Sequence, residues 1–133
     1  MASEEHQKLL NSLARVLEKK EGVTITHLDI DGMPECFDEK YRNLPTPSER
    51  DHHIPDLEGK KDGLKHLGEA KISIEGDENL NDQFKIFSNR VMNEKSIPFH
   101  IIVPKSLVKD VEKKLEALGL SDKYKAGVIS IWS

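Results

Sequence analysis

The sequence has few of the features that mark secreted, metal-knuckle or membrane proteins. Its single cysteine, Cys36, allows neither an internal disulfide nor a zinc site built on paired cysteines, which suits a reducing compartment. No stretch approaches the ~20 consecutive apolar residues of a membrane-spanning helix. The start MASEEHQKLL is acidic and polar, whereas a signal peptide is basic and then apolar. We therefore expect a cytoplasmic protein with no membrane partner.

Positive charge is not in excess either. The chain has 20 Lys and Arg against 24 Asp and Glu, a net charge of −4, which at first disfavours a nucleic-acid partner. However, residues 1–51 hold seven basic and eleven acidic side chains, while residues 52–133 hold thirteen of each. The acid excess thus lies in the first part of the chain, and net charge does not exclude nucleic-acid binding by the rest.

Much of that excess falls in or beside a proline-marked stretch, 31–51, which we predict to be a long solvated loop. An acidic metal site is an alternative interpretation, but the spacing of its acids matches no EF-hand loop. The acids concerned are Asp29, Asp31, Glu35, Asp38 and Glu39.

With 133 residues, the chain has the length of a single domain, 1–133. Apolar residues at three- and four-residue spacing predict helices over 4–20, 79–92 and 106–118. Runs of β-branched and apolar residues predict strands over 23–30, 53–57, 64–74, 98–103 and 126–132, with a turn at 59–63. This order, αβββαβαβ, predicts an α/β domain with a mixed β-sheet flanked by helices.

The candidate chemistry lies on the second and third predicted strands. Strand alternation places Glu69 and Lys71 on one face, where burial is costly unless the charges are paired or metal-bound. Twelve residues separate Asp56 from Glu69, which is enough for a hairpin to bring the two carboxylates together. With the main-chain carbonyl of Ala70, they would supply oxygen ligands that suit Mg²⁺, for which Mn²⁺ can substitute. Lys71 would contact a scissile phosphate or assist the attacking water.

Pro55-Asp56 followed by Glu69-Ala70-Lys71 resembles the signature of the PD-(D/E)XK nuclease superfamily. The superfamily core of a helix, three strands, a helix and a strand is similar to the order predicted for residues 4–103. The resemblance implies a restriction-endonuclease-like three-layer core and Mg²⁺-dependent hydrolysis of phosphodiester bonds, with DNA as the expected substrate.

The resemblance also implies two further site residues. Many members carry a Gln on the helix that follows the lysine strand, where this chain has Gln83, although Phe87 stands where a Tyr is common. Members often carry a Glu on the first helix that faces the metal, and Glu5 is the candidate.

Several expectations concern binding. Lys60, Lys61, Lys65 and His53 are the candidate nucleic-acid contacts, and the small size of the domain predicts a homodimer, through the last helix or the Trp132 strand. Zinc is disfavoured, because His52, His53 and His66 come with neither paired cysteines nor HExxH spacing. The alternative function is a non-catalytic nucleic-acid-binding or protein-interaction module that keeps the nuclease fold.

Overall fold

A five-stranded mixed sheet organises the chain, of which a computed structural model describes residues 2–133. The helices are α1 (Glu4–Glu21), α2 (Leu80–Phe87), α3 (Val108–Ala117) and α4 (Ser121–Lys125). The strands are β1 (Thr24–Leu28), β2 (Leu57–Lys61), β3 (Leu64–Ala70), β4 (Val91–Met92), β5 (Lys95–Ser96), β6 (Phe99–Ile102) and β7 (Ile129–Trp132). The sheet order is β1-β2-β3-β6-β7, with antiparallel pairing through β3 and parallel pairing beyond it. The predicted α/β class, with a mixed sheet and flanking helices, is confirmed.

Helix α1 covers one face of the sheet. Ser3 accepts a hydrogen bond from the main-chain N–H of His6 and so caps the helix start. The buried stripe of the helix includes Leu10, Leu13 and Leu17. Gly68 of β3 permits a close approach, because a Cβ atom there would lie 2.8 Å from Cδ2 of Leu13. This contact sets α1 tightly against the strand that carries Glu69.

Helices α2 and α3 contribute to a second core built on the alternate side chains of the sheet. Phe84 and Phe87 of α2 pack with Leu67, Phe99 and Ile101, all of which are fully buried. Helices therefore cover both faces of the sheet. The polar residues of the candidate site lie at the ends of its strands.

The hairpin of β2 and β3 differs in its limits from the prediction. Residues 59–61 belong to β2, and the chain reverses at Asp62 and Gly63, whose φ angles of 51° and 79° suit a two-residue hairpin turn. Strand β2 begins only at Leu57. Strand β3 ends at Ala70 and not at residue 74, because its partner β6 ends at Ile102.

Most residues of the stretch 31–51 are exposed, as its charge predicts, but three of its side chains fix it to the core. It contains two short 3₁₀ turns, Pro34–Cys36 and Glu39–Tyr41, and it buries Cys36, Phe37 and Tyr41. These side chains join the core beneath α1, so their burial outweighs the polarity of their neighbours.

The region after β3 also has more elements than the predicted order. Helix α2 ends at Phe87, because Val91–Met92 pairs with Lys95–Ser96 in a separate small hairpin. The short helix α4 precedes β7. Within residues 2–133, none of the helices is both long enough and apolar enough to span a bilayer.

Candidate active site

The structure brings Asp56 and Glu69 together at the end of the β2–β3 hairpin. The main-chain N–H of Asp56 donates to Oε1 of Glu69 at 2.8 Å, and the N–H of Ala70 donates to Oδ2 of Asp56 at 2.9 Å. Both residues are buried, with 9% of Asp56 and 2% of Glu69 exposed. The pairing of Leu57 with Gly68 produces this arrangement, since it places the two acids in the next register position.

The two buried carboxylates repel each other. Burial, followed by the neighbouring charge of Asp56, raises the pKa of Glu69 well above its ordinary value. A divalent cation between them would relieve this repulsion. The site therefore has the electrostatic character of a cation site, with carboxylate oxygens as the available donors.

Lys71 extends from just beyond the end of β3, where its main-chain N–H donates to the carbonyl of Ile102 at 3.0 Å. Its Nζ donates to Oε1 of Gln83 at 2.5 Å and to Oδ2 of Asp77 at 2.8 Å. Oε2 of Glu69 lies farther away, at 3.7 Å. Only 12% of the lysine side chain is exposed. Gln83 thus reaches the lysine from α2.

Asp77 is a site residue that the sequence analysis did not identify. Its Oδ1 accepts from the N–H of Asn79 at 3.0 Å, in the turn that leads into α2. Although burial opposes the charged form, the hydrogen bond and the charge of Lys71 hold the pKa of Asp77 below its ordinary value. Its position could not be anticipated, because the segment between Lys71 and α2 has no regular spacing.

His6, and not Glu5, is the residue of α1 that reaches the carboxylates. Nε2 of His6 lies 3.1 Å from Oδ2 of Asp56 and 2.9 Å from the carbonyl oxygen of Ala70. Glu5 is exposed and makes no side-chain hydrogen bond within residues 2–133. The available signal was spacing, because His6 precedes Leu10 by one helical turn and lies on the buried stripe.

The surroundings of His6 favour its charged form. The amide nitrogen of Gln7 donates to the carbonyls of Asp29 and Ile30, at 2.8 Å each, so its Oε1 accepts from Nδ1 of His6. Both ring nitrogens therefore face acceptors, which only the doubly protonated ring can satisfy. Burial opposes that charge, but hydrogen bonds to Asp56, Gln7 and Ala70 raise the pKa of His6 above its ordinary value.

His6, Lys71 and Asp77 border a cleft of about 320 Å³, and neither Asp56 nor Glu69 is among its lining residues. Its lining comprises His6, Ala70, Lys71, Ile72, Ser73, Glu75, Gly76 and Asp77. A larger cavity of about 560 Å³ lies between the segment 72–78 and α3, and none of the predicted site residues lines it.

No protein-family model, curated protein or solved structure matches this chain. The assignment of function therefore depends on the site itself.

The oxygen donors at this site can be compared with the ligands that Mg²⁺ prefers. In residues 2–133, no group of three or more His, Cys, Asp or Glu side chains is arranged as a complete metal site. Mg²⁺ does not require one, since it keeps several waters and binds one or two carboxylates. Asp56 and Glu69 supply carboxylate oxygens and Ala70 a main-chain carbonyl oxygen, which are the hard donors that Mg²⁺ binds, so the chemistry of the donor set fits this ion.

The predicted nucleic-acid contacts lie outside this cluster. Lys60 is paired opposite Lys65 near the turn of the hairpin, roughly 13 Å along β2 from Asp56. Lys61 is exposed beside them. His53 lies nearer, three residues before Asp56, with its ring edge against Phe87 at a centroid distance of 6.5 Å. The structure thus separates a lysine-rich hairpin end from the carboxylate end.

The histidines considered for zinc are also apart. His66 is buried, and its Nδ1 lies 2.9 Å from Nε2 of His100. His52 is exposed in the turn between Arg50 and His53. His66 alternates with Leu67 on β3 and therefore lies on the other face of the sheet from the α2 core.

Proposed function

We propose that this chain is a Mg²⁺-dependent nuclease that hydrolyses phosphodiester bonds in DNA. The observation that carries the proposal is the reciprocal hydrogen bonding of Asp56 with Glu69 and Ala70. It fixes two carboxylates side by side at one end of a hairpin through the main-chain N–H groups of Asp56 and Ala70, with Lys71 beside them. Buried acids next to a lysine are costly for stability, which favours a functional role over a structural one.

The topology supports a restriction-endonuclease-like fold. Helix α1, the antiparallel strands β1 to β3, helix α2 and the parallel strand β6 follow the order helix, three strands, helix, strand. The β4–β5 hairpin is inserted between α2 and β6, and α3, α4 and β7 follow the core.

Asp56, Glu69 and the carbonyl of Ala70 are the groups that would hold Mg²⁺ or Mn²⁺. When bound, the ion would lower the pKa of a coordinated water and offset negative charge at the scissile phosphate. The protein's part is orientation: the Ala70 N–H and His6 hold Asp56, while the Asp56 N–H holds Glu69. Carboxylates fixed in this way lose little freedom on binding a cation.

Lys71 is the residue that would bind the scissile phosphate or the attacking water. Its ammonium has three protons, of which Asp77 and Gln83 each accept one. The third proton is free to donate to a non-bridging phosphate oxygen or to the attacking water. Held in place by these hydrogen bonds, Lys71 would stabilise the negative charge that develops on the phosphate.

The test is a cleavage assay with plasmid, linear, single-stranded and branched DNA in Mg²⁺, Mn²⁺ or EDTA. We expect cleavage of at least one substrate that requires the metal. Lys71→Ala should lower its rate by about 100-fold or more, whereas Lys19→Ala, at an exposed position of α1, should not change it. Wild-type protein that cuts no substrate, or Lys71→Ala protein that cuts equally well, contradicts the proposal. DNA binding that is indifferent to metal and leaves the DNA intact would favour the non-catalytic module.

A further inference from the structure

We infer that Asp77 is a positioning residue that holds the ammonium of Lys71 away from Glu69, leaving that carboxylate free for a divalent cation. The inference rests on the proposed function, because it concerns the same cation site. The observation behind this inference is a difference between two distances. Nζ of Lys71 lies 2.8 Å from Oδ2 of Asp77 but 3.7 Å from Oε2 of Glu69.

Lys71 is placed where it can block the site. It follows Glu69 by two residues, and the Glu69 side chain is only 3% exposed, so water screens their attraction weakly. Lys71 and Glu69 form a long ion pair at 3.7 Å, and without another charged partner the ammonium would move to hydrogen-bonding distance of Glu69. A cation would then have to displace that ammonium before it could bind.

Asp77 supplies the competing charge. Gln83 is closer to Nζ, at 2.5 Å, but it is neutral and cannot balance the ammonium. Two other acids of the same segment, Glu75 and Glu78, are exposed, and their side chains make no ion pair with any described residue. Asp77 is thus the acid of this segment that the structure turns towards the lysine.

The position of Asp77 is itself held by the start of α2. Its Oδ1 accepts from the N–H of Asn79, and its main-chain carbonyl accepts from the N–H of Leu80 at 3.3 Å. The turn that precedes the helix therefore places both Asp77 and Gln83 on one side of Lys71. The result is a mostly buried lysine whose Nζ lies closer to Asp77 than to Glu69.

The experiment measures Mn²⁺ binding by calorimetry, without DNA, for wild-type protein and four variants. Asp77→Asn should weaken Mn²⁺ binding about tenfold, the scale of a coupling of ~1.4 kcal/mol between neighbouring residues. Asp77→Glu should restore most of the affinity, because it keeps the charge. The double variant Lys71→Met/Asp77→Asn should bind as wild type does, since it has no ammonium to pair with Glu69. Glu78→Gln is the matched control and should have no effect.

Each outcome decides the inference. Asp77→Asn keeps an oxygen that can accept from the N–H of Asn79, so the variant should fold, and urea unfolding verifies this. If Asp77→Asn binds Mn²⁺ as tightly as wild type, the inference is overturned and the proposed function stands. If the double variant is as weak as Asp77→Asn, Asp77 merely builds the start of α2, which also overturns it. If wild-type protein neither binds Mn²⁺ nor cuts DNA, the proposed function fails, and the inference fails with it.

Discussion

Nε2 of His6 lies 3.1 Å from Oδ2 of Asp56, across 50 positions of sequence. This contact ties the first turn of α1 to the residue that precedes β2. The same nitrogen lies 2.9 Å from the carbonyl of Ala70, so a single imidazole touches two of the three proposed cation ligands.

His6→Ala should lower metal-dependent cleavage by about 10- to 100-fold, because Asp56 loses a group that orients its carboxylate. Glu5→Ala is the matched control on the neighbouring residue and should cleave as wild type does. Initial rates at several Mg²⁺ concentrations provide the measurement. Equal rates for the two variants would remove His6 from the site.

Glu69→Gln should stabilise the metal-free protein while it abolishes metal binding. Because the pKa of Glu69 is raised in the folded state, the folded protein binds more protons than the unfolded protein, and stability falls as pH rises above the ordinary Glu value. Removing the charge should raise the free energy of unfolding at pH 7.5. Urea unfolding in EDTA measures this, with exposed Glu116→Gln as the control. Lower stability of Glu69→Gln would show that its charge is compensated in the fold.

His100 lies on the other face of the sheet from Glu69, and its burial predicts that the protein loses stability as pH falls. Trp132 Nε1–H donates to His100 Nδ1 at 3.1 Å, so that nitrogen must accept, and the ring is neutral. Burial, with a smaller effect from His66, lowers the pKa of His100 to about 3. The unfolded state therefore takes up the proton first as pH falls, and the free energy of unfolding should decrease by about 1.4 kcal/mol per pH unit below roughly 6.5.

Urea unfolding at pH 7.5, 6.0 and 5.0 checks this dependence. His100→Gln keeps an acceptor for Trp132 and a donor for His66 without the titrating group, so its stability should fall less on acidification. The same dependence in His100→Gln and in wild type would assign the acid sensitivity to other groups.

Gly68→Ala should destabilise the fold by about 1–3 kcal/mol, the usual cost of overpacking a core. The added Cβ would lie 2.8 Å from Leu13 Cδ2 and 3.2 Å from Leu57 Cβ, so α1 would have to move away from β3. Since that movement would also withdraw His6 from Ala70, cleavage should decrease even at temperatures where the variant remains folded. Chemical unfolding together with the cleavage assay tests both effects, and wild-type stability would show that α1 adjusts without strain.

A homodimer stays a prediction. A domain of this size is too small to surround a duplex, and β7 lies at an edge of the sheet, where a second copy can pair with it. Light scattering at working concentration measures the mass, and a monomeric value would contradict the prediction.

Part of the candidate site could be predicted because it depends on local geometry. The twelve residues between Asp56 and Glu69 form a hairpin whose register is determined by its turn, so the two acids meet. Gln83 lies on the helix that follows the lysine strand, where the resemblance to the nuclease superfamily implied it, and its side chain contacts Lys71. Strand β3 and helix α2 were both predicted to be too long. Strand β3 ends where its partner β6 ends, and α2 ends before the β4–β5 hairpin.

The sequence by itself determined helices α1, α2 and α3, the five strands of the sheet and the pair Asp56 and Glu69, because alternation along strands and three- to four-residue spacing along helices are properties of short stretches of backbone. Only the tertiary structure decided that His6 and not Glu5 reaches Asp56, that Asp77 pairs with Lys71, and that the stretch 31–51 is partly buried. These contacts depend on the rotation of α1, on its close approach at Gly68 and on the path of a segment without regular spacing. They arise when distant parts of the chain pack together, and the spacing of residues within one short segment does not predict such contacts.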